Sequence, residues 1–248
     1  FLIALAAVAA CFLCLFVFNV KADELTPTVT SSDGQDCSVL LDDNFRDTIG
    51  TYAAGTEIKI ASDQDVASIY IKWDTIPAKW MLKVAGQEYT FGEHGYLHEF
   101  VEIPTPAKEV TIVIPQDGTR ISDLYAFSAG EVPDWVQIWN EPYDKADILV
   151  LSTHHDDEAL FFSGVIPNYT NEDKARVQVA YYCNFFDTEP YRNHEALDGL
   201  WTMHVTHYPQ LGIFPDLYSE TFEEAQTMYD MEAGEEYVVE TIRRFKPQ

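Results

Sequence analysis

Five consecutive polar residues, His154-His155-Asp156-Asp157-Glu158, follow directly on the apolar run Ile148-Leu149-Val150-Leu151-Ser152-Thr153. Imidazole nitrogens and carboxylate oxygens are good zinc ligands, and a catalytic zinc takes three protein ligands plus a water. Zinc lowers the pKa of that water to about 7. A neighbouring carboxylate that does not bind the metal can then take up its proton. One short loop therefore offers an imidazole and several carboxylates for both tasks. Acidic residues also gather at helix N-termini through capping and the helix dipole. Asp156, Asp157 and Glu158 thus have a purely structural reading as well, although capping does not call for two histidines.

Chemistry at such a loop depends on the elements that hold it. The continuous apolar run is the pattern of a strand buried on both faces, as in parallel sheets. Residues 159–166 read as a short helix stopped by Pro167, and Val177-Gln178-Val179-Ala180-Tyr181-Tyr182 reads as the next strand. Strand, polar loop and helix form the first half of a βαβ unit. In such sheets ligands bind outside the carboxyl ends of the strands, where this cluster lies.

On these residues the chain resembles the PIG-L/LmbE-like zinc de-N-acetylases, whose signature after the first strand is Ala-His-Pro-Asp-Asp-Glu. Thr153-His154-His155-Asp156-Asp157-Glu158 occupies that place, with Thr153 for Ala and His155 for Pro. The resemblance implies that His154 and Asp157 are zinc ligands, that Asp156 is the general base, and that Glu158 supports them. His155 is expected not to be a ligand. Arg192-Asn193-His194-Glu195-Ala196 resembles the family's Arg-x-x-Glu-Ala motif at the start of a pocket helix, with Leu211-Gly212 following. Arg192 would then contact substrate or a developing oxyanion, a role that suits a fixed cation with several donors. The alternative is a surface pair between Arg192 and Glu195 at i, i+3. Tyr237 to Pro247 resembles the family helix that ends in Lys-Pro. The resemblance places the third ligand, a His in a His-x-x-His type motif, beyond Gln248. His194, His204 and His207 are substitutes by residue type alone.

The region before Ala146 reads differently. Short alternating segments include Glu57 to Ile60, Ser68 to Trp73, Trp80 to Val84, His98 to Ile103, Val110 to Ile114 and Ile121 to Phe127. Gly, Pro and Asp punctuate them at intervals that fit an antiparallel sandwich. The pattern is weakly similar to galactose-binding-like β-sandwiches. Trp73, Trp80, Tyr89, Phe91 and Tyr96 are either core residues or, as that similarity implies, sugar platforms. His94 and His98, beside a glycine turn, are expected at the surface or in the core and not on a metal.

The expected organisation is multidomain. A signal peptide or membrane anchor occupies residues 1–22, its apolar part within 1–20. A linker at 23–36 leads to the antiparallel β-sandwich at 37–130, and a second linker spans 131–145. Residues 146–248 form the first part of an α/β Rossmann-like, LmbE-like domain, incomplete at its C-terminus. The chain is expected to be secreted, or anchored facing outward. A formal net charge of -26 excludes nucleic acid as a natural partner. Cys37 and Cys183 lie in different expected domains, where a bridge between them stays open. The expected activity is zinc-dependent hydrolysis of an N-acetyl group from an amino sugar or glycoconjugate. The alternative is a secreted carbohydrate-binding protein with an inactive hydrolase domain.

Overall fold

The computed structural model describes residues 20–46, 50–172 and 174–248. The segment read as a signal or anchor lies outside them as far as residue 19. Among the described residues no helix is long and apolar enough to cross a membrane.

Strands β1 (Glu24–Leu25), β2 (Thr28–Ser31), β3 (Gly50–Tyr52), β4 (Glu57–Trp73), β5 (Trp80–Val84), β6 (Gln87–Phe91), β7 (His98–Val113) and β8 (Thr119–Phe127) form one antiparallel network. Its path runs β1-β8-β4-β7-β5-β6, with β2 added to β4 and β3 to β8. Each of the long strands β4 and β7 joins two segments that the sequence presents as separate strands. Register shifts between Ala61 and Ser68 bend the β4–β7 pair. The early part of β4 pairs with β2, the later part with β8. Such irregularities let one strand pass from one layer of a sandwich to the other.

The bend also changes which side chains face inward. Ile58 and Ile60 face the main core before it, and Ile69, Ile71 and Trp73 after it, so the set facing that core passes from even to odd numbers, while Tyr70 is buried in a second cluster on the other face. β7 does the reverse, with Val101 and Ile103 followed by Val110 and Ile112. An inserted residue turns the alternation over. All of these side chains meet in one core with Leu82, Val84 and Leu124. Trp73 and Trp80 belong to it, and both indole N–H groups donate to Glu99 Oε2, at 3.0 and 2.8 Å. These two tryptophans are core residues rather than sugar platforms.

The 23–36 stretch is not a free linker. β1 pairs with β8 and β2 with β4, and Lys21 bridges to Glu131. Cys37 and Cys183 are both free and buried, so no bridge joins them.

On the outer face of the β4–β8 layer, Asp123 is almost fully withdrawn from water. Burial raises its carboxyl pKa to about 6, with Lys72 opposing and Asp43 and Asp42 adding to the rise. The folded state therefore binds an extra proton between about pH 4 and 6, and this group's contribution to stability falls as pH rises through that window. Asp123→Asn is expected to add about 1–2 kcal/mol at pH 7, a two-unit shift discounted for residual solvation, and little at pH 4. Thermal melts of both proteins at the two pH values check this.

The second region holds β9 (Ile148–Ser152), β10 (Val177–Tyr181), β11 (Cys183–Asn184) and β12 (Phe214–Pro215). β9 and β10 are parallel in register, as are β11 and β12, and a parallel bridge joins Ala180 to Gln210. Among the described residues four α-helices accompany them: α1 (Asp157–Leu160), α2 (Tyr191–Thr202), α3 (Phe222–Met228) and α4 (Met231–Phe245). The helix expected at 159–166 is the single turn of α1. On α4, Asp230 caps by accepting from Glu232 and Ala233 N–H, and Lys246 ends the helix in the left-handed region. Gln248 N–H then donates to Asp147 O at 3.3 Å, bringing the chain beside β9.

Candidate active site

The polar cluster follows β9, next to the ends of β10–β11 and β12. Asp156 precedes α1, and its side chain makes no capping bond. Instead its Oδ2 accepts from Arg192 Nη2 at 2.9 Å. Asp157 Oδ2 accepts the N–H groups of Thr153 and His154, both at 3.0 Å. One oxygen of Asp157 thus fixes the loop on the strand end while the other stays available.

His154 is half-buried between two carboxylates. Its Nδ1 lies 3.7 Å from Asp157 Oδ2, and its Nε2 lies 3.1 Å from Asp216 Oδ1. Cys183 Sγ joins His154 and Asp216, the three donor atoms all within 4.8 Å of one another. Burial raises the Cys183 thiol to about 11. The imidazole of His154, the carboxylate of Asp216 and the buried thiol of Cys183 form a donor set that fits zinc, which accepts nitrogen, oxygen and sulfur, while Asp157 faces the other ring nitrogen of His154.

Arg192 sits at the start of α2. Beyond Asp156 it donates to His155 O at 3.3 Å, and its guanidinium lies 5.1 Å from the centre of the Phe185 ring. Glu195 is its more distant partner, at 4.0 Å. Asp156, not Glu195, is thus its main ionic contact.

The neighbours of these residues are buried. His155 packs edge-on against Tyr181 and tilted on Phe185, with ring centroids 4.3 and 5.0 Å away. Burial lowers its pKa to about 4, so it is neutral at pH 7. It fills core space. Glu158 is also buried, and burial raises it to about 7.

The structure brings together His154, Asp156, Asp157 and Arg192, the residues singled out in the sequence. The three substitute histidines stand apart from them. His194 is fully buried against His98, His207 stacks on Tyr143, and His204 lies beside a cavity with Trp135 and Trp201. Asp216 and Cys183 are the additions. Their signal was positional, since each sits at or just past a strand end, but neither lies in the motif after β9. Two cavities lie elsewhere among the described residues. One of about 740 Å³ is lined by Phe100, Trp135 and Trp201, and one of about 570 Å³ by Lys72, Asp123 and Trp135.

No protein-family model matches the chain, and no curated protein matches it. Several solved structures are similar at low identity. A pectin-binding carbohydrate-binding module is 16% identical, covering 44% of this chain and 96% of its own, with a TM-score of 0.34. CpGH89CBM32-6 from Clostridium perfringens is 11% identical, covering 42% of this chain and 94% of its own, with a TM-score of 0.34. A family two carbohydrate esterase from Cellvibrio japonicus is 12% identical, covering 91% of this chain and 83% of its own, with a TM-score of 0.25.

Proposed function

We propose that the chain belongs to an exported, zinc-dependent hydrolase that removes N-acetyl groups from an amino sugar or glycoconjugate. The observation that carries this reading is the meeting of His154, Asp157 and Asp216 with the Asp156–Arg192 pair at the ends of neighbouring parallel strands. The parallel pairing of β9 with β10 and the return of the chain beside β9 at Gln248 support a Rossmann-like, LmbE-like organisation for this region.

His154 and Asp157 would hold zinc, with Asp216 beside the same imidazole. Bound there, zinc supplies Lewis acidity toward the acetyl carbonyl and activates water. Asp156 takes up the water proton and returns it to the departing amine, which leaves as the C–N bond breaks and acetate forms. Arg192 orients Asp156 through their 2.9 Å contact and adds positive charge where negative charge develops on the acetyl oxygen. The apolar residues before position 20 would direct export, as signal or anchor.

A substrate panel on the full-length protein tests the chemistry. N-acetylglucosamine oligomers are expected to release acetate, and O-acetylated sugars lacking an N-acetyl group are expected to release far less. Faster release from the esters would replace the amide reading with an esterase one. Binding of the oligomers without any release would favour a glycan-binding protein.

Asp216 has its own test. A carboxylate 3.1 Å from a ligand imidazole either binds metal or orients the ring, and losing such a partner typically costs tenfold to a hundredfold in metal affinity. Asp216→Asn is expected to weaken zinc binding by about that factor in a chelator competition. Unchanged affinity would remove Asp216 from the metal site.

A further inference from the structure

We propose that the β-sandwich is a working part of this site, with His98 as a positioning residue that acts through α2 on Arg192. This rests on the hydrolase reading above and adds to it a role for the sandwich.

Helix α2 carries Arg192 and Glu195 toward the site. His194 and Asp198, one turn apart, face the sandwich. Both histidines of the contact are fully buried. His98 Nε2 lies 2.8 Å from His194 Nδ1, and the rings stack with centroids 5.1 Å apart. Gln137 braces the helix at a second point, donating from Nε2 to Asp198 Oδ1 at 2.6 Å. That bond fixes Gln137 Oε1 as an acceptor, and it takes the Trp139 indole N–H at 3.0 Å. Oε1 also lies 2.7 Å from His98 Nδ1, so the His98 proton sits on Nδ1. His98 Nε2 is then the acceptor for the N–H of His194. Each bond in the chain orients the next.

The opposite edge of His194 lies against the sandwich too. Its Nε2 faces Ser122 Oγ at 3.4 Å and Asp74 Oδ1 at 3.5 Å. Asp74 pairs with Arg120 at 2.8 Å, and Arg120 Nη2 donates to Phe186 O at 3.2 Å. Phe186 adjoins Phe185, the ring under the Arg192 guanidinium. The sandwich thus grips both the helix that bears Arg192 and the loop on which Arg192 rests. Arg46, from the segment before β3, adds an ion pair to Glu195. A buried polar group deprived of its partner is costly, so these links resist rearrangement.

A double-mutant cycle on acetate release from N-acetylglucosamine oligomers tests the link. His98→Leu is expected to lower kcat about tenfold or more with zinc content unchanged, and His98→Gln to recover most of the loss. In an Arg192→Ala background, His98→Leu should change kcat less than twofold. Equal losses in both backgrounds, or no loss in the first, would overturn the proposal. Should His98→Leu not fold, Gln137→Leu breaks the second brace and is read in the same way. Hydrogen exchange separates this proposal from the function it rests on. If the wild-type protein shows no turnover, the hydrolase reading falls. The brace is still supported if α2 amides exchange at least tenfold faster in His98→Leu, or in Gln137→Leu, while β9 amides do not. Unchanged α2 exchange would overturn it.

Discussion

Asp156→Ala is expected to cut turnover by roughly a hundredfold to ten-thousandfold, the usual range for a general acid–base residue, with zinc content preserved. Asp156 does not do what its position at a helix start predicts. It stands at the N-terminus of α1, where a carboxylate would ordinarily cap, yet it makes no capping bond. Its Oδ2 is instead engaged by Arg192, leaving Oδ1 to meet a proton. A capping residue would lose about 1 kcal/mol of stability on truncation and leave turnover intact. Asp156→Asn keeps the shape and the Arg192 contact but removes the basic carboxylate, so it should be nearly as inactive as the alanine variant. Kinetics and zinc content measured on both variants check this, and full activity in either would remove Asp156 from the chemistry.

His154→Ala should fail differently, with zinc and activity lost together. His154 lies between Asp157 and Asp216 and, among the described residues, supplies the imidazole that meets both. Loss of a direct ligand should exceed the hundredfold upper range typical of outer partners. His155→Ala is the contrasting variant. His155 is buried against Tyr181 and Phe185, so its truncation should cost about 2–4 kcal/mol of stability while zinc binding survives. A chelator titration and a thermal melt on each variant separate these outcomes. Should His155→Ala lose zinc and His154→Ala retain it, the ligand assignment would be reversed.

The sequence was most informative where chemistry and periodicity coincide. The apolar run at 148–153 and the polar residues after it announced a parallel strand and a cluster at its end, and β9 carries that cluster, although Ile148, Leu149 and Leu151 are half-buried rather than enclosed on both faces. In the sandwich, alternation located most of the strand segments but hid their continuity. A bulge turns the alternation over, so β4 and β7 each read as two strands. β1 and β2 were missed because Thr, Pro, Asp and Ser dominate their surroundings, and short edge strands need little apolar sequence. Asp216 and Cys183 were not legible at the site, because their place there depends on how β11 pairs with β12. The contact between His98 and His194 crosses 96 positions in the chain, and no local pattern encodes it.

The measurement that bears most directly on the hydrolase reading is acetate release from an N-acetylglucosamine oligomer by metal-stripped full-length protein, before and after adding zinc. Release should be absent in the stripped protein, return on addition of about one zinc per chain, and stay absent in Asp156→Ala at the same zinc content. Undiminished release by the stripped protein, or by zinc-loaded Asp156→Ala, would contradict it.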